Sequence, residues 1–208
     1  MIKLYGHEVS GNSYKAQLLL SLLEIDYQYL SVDLRKGEHK SPEYLKLNPF
    51  GQVPVLIDGD IAIPDAQAIL VYLARRYGND RWLPKDPEAE SRVIRWLSVT
   101  TGEIRQGLEA ARLFYLFNDK SVDIEVAMQK SIFILQQLEQ HLTNREWLEL
   151  GHPTIADIAA FPYVVLAPDG RLSLANYPYI CAWIERIRKL PGFVGMPGIE
   201  VTTAVAVN

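Results

Sequence analysis

The chain has 208 residues, 49% of them hydrophobic and 22% charged, and a formal charge of −4 from 21 basic and 25 acidic side chains. That composition, with a mean hydropathy near zero, excludes a disordered or membrane-embedded chain. The acidic balance excludes generic nucleic-acid binding, which needs a basic face. The single cysteine, Cys181, cannot form an internal disulfide, and His7, His39, His141 and His152 fall at no metal-ligand spacing, so no metal is expected. Met1-Ile2-Lys3-Leu4-Tyr5 reads as a strand rather than a secretory leader, and no apolar run is long enough to cross a bilayer. A cytoplasmic protein without nucleic-acid or membrane partners is the expectation.

In the first strand, Ile2 and Leu4 share a face. Ala16, Leu19, Leu20 and Leu23 then recur at helical spacing. A second strand pattern over residues 27–34 aligns Leu30, Val32 and Leu34, and strand–helix–strand in this order predicts a parallel βαβ unit. Ser41-Pro42 starts a helix that Asn48-Pro49-Phe50-Gly51 cuts short. Val55-Leu56-Ile57 and Ile61-Ala62-Ile63 flank Asp58-Gly59-Asp60 as a hairpin. Pro64-Asp65 opens a helix with Ala66, Ile69, Leu70 and Leu73 on one face, ending near Gly78.

Residues 79–86 are rich in turn formers and read as a linker. Beyond it the pattern is helical. Helices are expected over 87–117 and 124–142, the second with Met128, Ile132, Leu135, Leu138 and Leu142 as its buried stripe. Thr154-Ile155-Ala156-Asp157 resembles a capping box with Asp in place of Glu or Gln. Ile180, Trp183, Ile184 and Ile187 mark a last helix, stopped by Pro191-Gly192. The expected division is an α/β domain over 1–78 (β-α-β-α-β-β-α), the linker, and an all-α domain over 87–208.

This order of elements resembles the glutathione transferase family, in which a thioredoxin-like domain precedes a helical one. The resemblance spans nearly the whole chain. Its motifs are Ser10-Gly11-Asn12-Ser13-Tyr14-Lys15, Asn48-Pro49-Phe50-Gly51-Gln52-Val53-Pro54-Val55-Leu56, Asp65-Ala66-Gln67-Ala68-Ile69, and Thr154-x-Ala156-Asp157. Within the cytosolic type it is similar to the serine-using, theta/zeta/nu-like bacterial branch. It implies a homodimeric detoxification enzyme that conjugates glutathione, as co-substrate, to a small hydrophobic electrophile. The same site could instead support glutathione-dependent isomerisation, dehalogenation or peroxide reduction, and a non-catalytic interaction module is the reading from a different class.

Ser10 falls between the first strand and the first helix, where unpaired N–H groups and the macrodipole favour an anion. On the residues alone, Ser10 or Ser13 serves equally well as a simple helix cap. A thiol of pKa about 8.5 is only a few per cent thiolate at neutral pH. The resemblance implies that the Ser10 hydroxyl donates to the glutathione sulfur and stabilises the thiolate, with Asn12 as a second donor. Tyr5 is read as a packing residue, and Tyr14 as pointing away from the thiol.

The resemblance also implies a cis Val53-Pro54 bond, leaving the Val53 backbone to pair with the cysteinyl unit of glutathione; a trans proline at a strand start is the alternative. Asp65 becomes the countercharge for the γ-glutamyl ammonium, and the Ala66 N–H a donor to its carboxylate. Asp65 could equally be a plain N-cap. Alanine stands at 66 where the family usually has serine, which removes one hydroxyl donor. His39 is placed near the glycyl carboxylate and Gln52 beside the tripeptide backbone, a solvated histidine being the alternative for the former. Arg112 and Tyr115 are candidate walls of the second-substrate pocket, although aromatic residues at helical spacing are more often core. Asp157 is assigned to folding.

Overall fold

The computed structural model describes residues 1–201. Residues 202–208, expected within the helical domain, lie outside the described residues. The chain opens with β1 (Ile2–Gly6), α1 (Gly11–Leu22) and β2 (Tyr27–Ser31), followed by α2 (Pro42–Leu47). The hairpin β3 (Val55–Asp58) and β4 (Ile61–Pro64) leads into α3 (Ala66–Arg76). Strand order is β2-β1-β3-β4. β1 and β2 are parallel, with Leu4 opposite Tyr29, as the strand–helix–strand order predicted. β3 runs antiparallel to both neighbours, with Tyr5 opposite Val55 and Val55 opposite Pro64.

That register gathers the chain's connections at one edge of the sheet. The loop after β1, the segment after β2, the residues before β3 and those after β4 all emerge there. The segments bearing Ser10, Val53-Pro54 and Asp65-Ala66 therefore share one edge although they are far apart in sequence. β2 ends at Ser31, short of the expected 34, because its partner β1 ends at Gly6: the Val32 N–H to the Gly6 carbonyl, at 2.8 Å, is the last bond between them.

The second half is helical: α4 (Pro87–Val99), a π-helical stretch (Thr100–Glu109), α5 (Ala110–Phe117), α6 (Ile124–Leu142), α7 (Ile155–Val165) and α8 (Pro178–Arg188). The expected helix over 87–117 is continuous, but nothing in its spacing foretold the π turns. Such turns recur at functional sites because they re-aim side chains. Gly107 lets this stretch close on α6, since a Cβ there would stand 2.8 Å from the Ser131 nitrogen. In α6 the buried residues are Ala127, Ser131, Ile134, Leu135, Leu138 and Leu142, whereas Ile132 is exposed, a correction to the expected stripe. The covering face is wider than one row and rotated towards 127 and 134.

Every residue of α7 is buried. It packs against α1, α3, α4 and the π-helical stretch, so one apolar core runs from Leu4, Leu19 and Ile69 through Phe161 to Trp183. The first helix is consequently buried on several faces, and its N-terminus is pressed against the helical half. A Cβ on Gly11 would lie 2.9 Å from the Tyr163 ring, so only glycine permits that approach. No described helix is long and apolar enough to cross a membrane.

Candidate functional site

Ser10 is the N-cap of α1, with extended backbone (φ −84°, ψ 113°), and its Oγ accepts the Ser13 N–H at 3.2 Å. Accepting that bond uses a lone pair and leaves the hydroxyl proton free to be donated. Capping and sulfur binding are thus compatible in one side chain. Ser13 is different: it is buried, and its Oγ accepts the His7 N–H at 3.2 Å, which fixes the loop from inside. Tyr5 packs edge-on against Tyr44, and the Tyr14 hydroxyl donates to the Val194 carbonyl at 2.6 Å, away from Ser10.

A cavity of about 600 Å³ opens beside Ser10, bounded by the β1–α1 loop, the segment after β2 and the helix carrying Glu109, Arg112 and Phe117. Asn12 lines it too, but its amide is engaged. Nδ2 donates to Glu109 Oε1 at 3.2 Å, and Oδ1 accepts from Lys15 Nζ at 2.8 Å. Tyr163 donates to the same Glu109 oxygen at 3.0 Å. Asn12, expected as a second donor, thus also links α1 to the helical half, and its Nδ2 keeps a second N–H.

Lys15 is fully buried, with its ammonium 5.0 Å from the centroid of the Tyr163 ring. Burial lowers its pKa to about 8, opposed by the Glu109 and Asp65 carboxylates and reinforced by Arg105. Lys15, Glu109 and Tyr163 escaped the sequence reading. The only available signal was a lysine beside the apolar stripe of α1, four residues before Leu19.

Arg112 lines the cavity and is buried. Its Nε pairs with Asp169 Oδ2 at 2.8 Å, and its Nη1 donates to the Val9 carbonyl at 2.9 Å. Tyr115 does not line this cavity; its ring lies against Phe114 and under Arg171, 4.2 Å away, because the helix turns it to the opposite side.

At the sheet edge the Val53-Pro54 bond is cis. Among the described residues nothing hydrogen-bonds to the Val53 N–H or C=O. The β3–β4 register sets this dipeptide beside Asp65-Ala66. Asp65 is exposed and adopts φ 92°, ψ 128°, a conformation that side-chain-bearing residues rarely hold. Strain of this kind costs about 1–3 kcal/mol and concentrates at ligand clamps. Its Oδ1 accepts the Ala68 N–H at 2.9 Å, so Asp65 does cap α3, and its other oxygen has no partner among the described residues. Ala66 is buried at the first turn.

Gly51, next to Gln52, has φ 57° and passes close to the 39–40 segment: a Cβ there would stand 2.7 Å from the His39 backbone carbonyl. The Gln52 side chain is exposed, and the residue's backbone carbonyl accepts from Tyr44 Oη at 2.9 Å and Asn48 Nδ2 at 2.8 Å, holding the loop. His39 is half-buried, and burial with the neighbouring Lys40 lowers its pKa. Neither residue lines the cavity beside Ser10. Among the described residues no group of three His, Cys, Asp or Glu side chains is arranged to hold a metal.

A four-stranded mixed sheet with its loop-bearing edge turned to an all-helical half defines a thioredoxin-like fold with an appended helical domain. The family model of the glutathione S-transferase N-terminal domain matches residues 1–75, and that of the C-terminal domain residues 106–191. Glutathione S-transferase F10 of Arabidopsis thaliana is 32% identical over 85% of this chain and 87% of its own. Disulfide-bond oxidoreductase YfcG of Escherichia coli (strain K12) is 30% identical over 92% of both chains. Among solved structures, a glutathione S-transferase from Pseudomonas fluorescens Pf-5 superposes with a TM-score of 0.88 at 30% identity, covering 94% of this chain and 98% of its own. The chain belongs to the glutathione S-transferase family, and it is an enzyme of that class.

Proposed function

We propose that this enzyme belongs to the serine-using branch and conjugates the thiolate of glutathione to a small hydrophobic electrophile. The observation that carries the reading is Ser10: an N-cap hydroxyl with a free proton, at the positive end of α1, on the wall of a cavity of about 600 Å³ lined from both halves. There a hydroxyl and a helix terminus would both favour a sulfur anion over the neutral thiol. Residues 1–78 would hold the tripeptide, residues 79–86 connect, and residues 87–208 supply the electrophile wall, Arg112 included.

The open Val53 backbone suits the cysteinyl unit, as one more strand suits a sheet edge. Asp65 is suited to the γ-glutamyl ammonium, its strained backbone holding a carboxylate beside the amides of α3. Asn12 is anchored to Glu109 through one N–H of its amide, and the other would be available to the sulfur beside Ser10 and the first amides of α1. The thiolate then attacks an electrophilic carbon, and the leaving group departs or, in an addition, the carbanion takes up a proton.

The E. coli relative named as a disulfide-bond oxidoreductase is a reminder that one glutathione site can serve a different thiol reaction. Cys181, the only cysteine, donates to the Leu174 carbonyl on the far helix and does not line the cavity, so a protein-bound mixed disulfide has no support at Ser10. Two measurements test the proposal: retention on immobilised glutathione, and turnover of 1-chloro-2,4-dinitrobenzene. Absence of both would sink it.

A further inference from the structure

The loop that presents Ser10 is short and held mainly by itself. Ser10 donates its N–H to the His7 carbonyl at 2.9 Å, and His7 donates its own to Ser13 Oγ at 3.2 Å. Both bonds stay within the loop and its own helix. Among the described residues, the one hydrogen bond reaching residues 7–10 from elsewhere is that of Arg112 Nη1 to the Val9 carbonyl, 103 positions along the chain. Val9 immediately precedes Ser10.

Arg112 is itself held firmly. Its side chain is 4% exposed, its Nε is paired with Asp169, and its guanidinium lies 5.3 Å from the Phe117 ring. A buried guanidinium is costly unless its donors are satisfied. Here two of them are spent on Asp169 and on a backbone carbonyl next to the serine. A planar fork makes the two bonds from separate, fixed nitrogens; a lysine gathers its three rotatable donors on one nitrogen and lacks that spacing.

We infer that Arg112 is a positioning residue for Ser10: through the Val9 carbonyl it sets where the serine hydroxyl stands, so that the helical half tunes the thiolate as well as walling the electrophile pocket. This rests on the proposed role of Ser10. The other charged or titratable groups on the cavity wall are His7 and Glu8 from the loop, Asp33 and Arg35 after β2, Glu109 from the π-helical stretch and Tyr163 from α7. Lys15 stands behind Asn12 and Asp169 behind Arg112. Substitutions at 112 leave all of these in place.

The test is the ultraviolet absorbance of bound glutathione thiolate against pH, in binary complexes without electrophile, so that any effect on the second substrate drops out. Arg112→Lys keeps the positive charge and gives up the fork. If Arg112 acts by position, the titration of Arg112→Lys moves alkaline by about one pH unit, roughly a tenfold lower ratio of thiolate to thiol at a given pH, and Arg112→Met moves at least as far. If it acts only by charge, Arg112→Lys titrates like wild type, which overturns the inference. A second arm asks whether the effect passes through the serine. Adding Arg112→Lys to Ser10→Ala should shift the titration no further than Ser10→Ala alone, and additive shifts would overturn the inference.

Asp169→Glu, in a partly exposed position off the cavity wall, keeps the charge while displacing the carboxylate that anchors Arg112, and keeps the test open should the Arg112 variants fail to fold. A smaller alkaline shift is expected there, and an unchanged titration counts against positioning. A wild-type protein that shows no thiolate signal with glutathione defeats the transferase reading and this inference together. A wild type that titrates normally, with variants that match it, defeats this inference alone.

Discussion

Asp157 joins three segments of the helical half through one buried carboxylate. Oδ1 accepts the Leu148 N–H and the Trp183 Nε1–H, each at 2.9 Å. Oδ2 accepts the Thr154 N–H at 2.9 Å and its hydroxyl at 3.2 Å. Burial pushes this carboxyl's pKa up from its ordinary range, and the four donors pull it back. In Asp157→Ala the Thr154 hydroxyl can rotate, but the two amides and the indole N–H are left buried without an acceptor. At about 1–3 kcal/mol for each of the three stranded donors, the expected loss is about 3–9 kcal/mol, a large part of a typical domain's total. Loss of a helix cap alone would cost only about 0.5–2 kcal/mol. Urea unfolding followed by tryptophan fluorescence, at one fixed protein concentration, separates the two cases. A loss below about 2 kcal/mol with an unchanged denaturant slope would show that Asp157 caps α7 and nothing more.

Ser10→Ala should leave glutathione affinity within a few-fold of wild type while the pH–rate profile moves alkaline, each pH unit being about 1.4 kcal/mol; identical thiolate titrations would transfer the role to the α1 amides. Asp65→Ala should weaken glutathione binding by about 2 kcal/mol or more, with a smaller effect on stability from the lost cap, and unchanged affinity by calorimetry would reduce Asp65 to that cap. Lys15 gives a pH signature: its folded pKa, about 8, lies below the ordinary 10.5, so above pH 8 the unfolded chain holds a proton that the fold has released. Wild-type stability should therefore rise relative to Lys15→Met between about pH 8 and 10, and parallel urea midpoints across that window would contradict the buried-ammonium account. A homodimer is expected from the family and from exposed apolar side chains at Phe50, Ile132 and Phe133, and sedimentation showing only monomer at micromolar concentration would exclude it.

The order of elements was legible in the sequence because strand and helix write their burial as periods of two and 3.6. Ile2 and Leu4 marked β1, Ala66, Ile69, Leu70 and Leu73 marked α3, and the turn residues between them located the breaks. Caps were equally local. Ser41, Asp65, Asp86 and Thr154 each accept from a backbone N–H two or three residues ahead, a distance that sequence spacing encodes. The motifs around Ser10, Val53-Pro54 and Asp65 could be named in advance, but only the register of β1, β3 and β4 carries them to one edge.

What surrounds Ser10 depended on the tertiary structure alone. Asn12 meets Glu109 across 97 positions and Val9 meets Arg112 across 103, and no local period predicts either pair. Two features of the packed fold decide them. The π turns rotate the face of the long helix, and burial of α1 against α7 forces Lys15 to find its partners inside the protein. Side-chain contacts of that range follow from how elements pack, because hydrogen bonds and ion pairs act over a few ångströms whatever the distance along the chain.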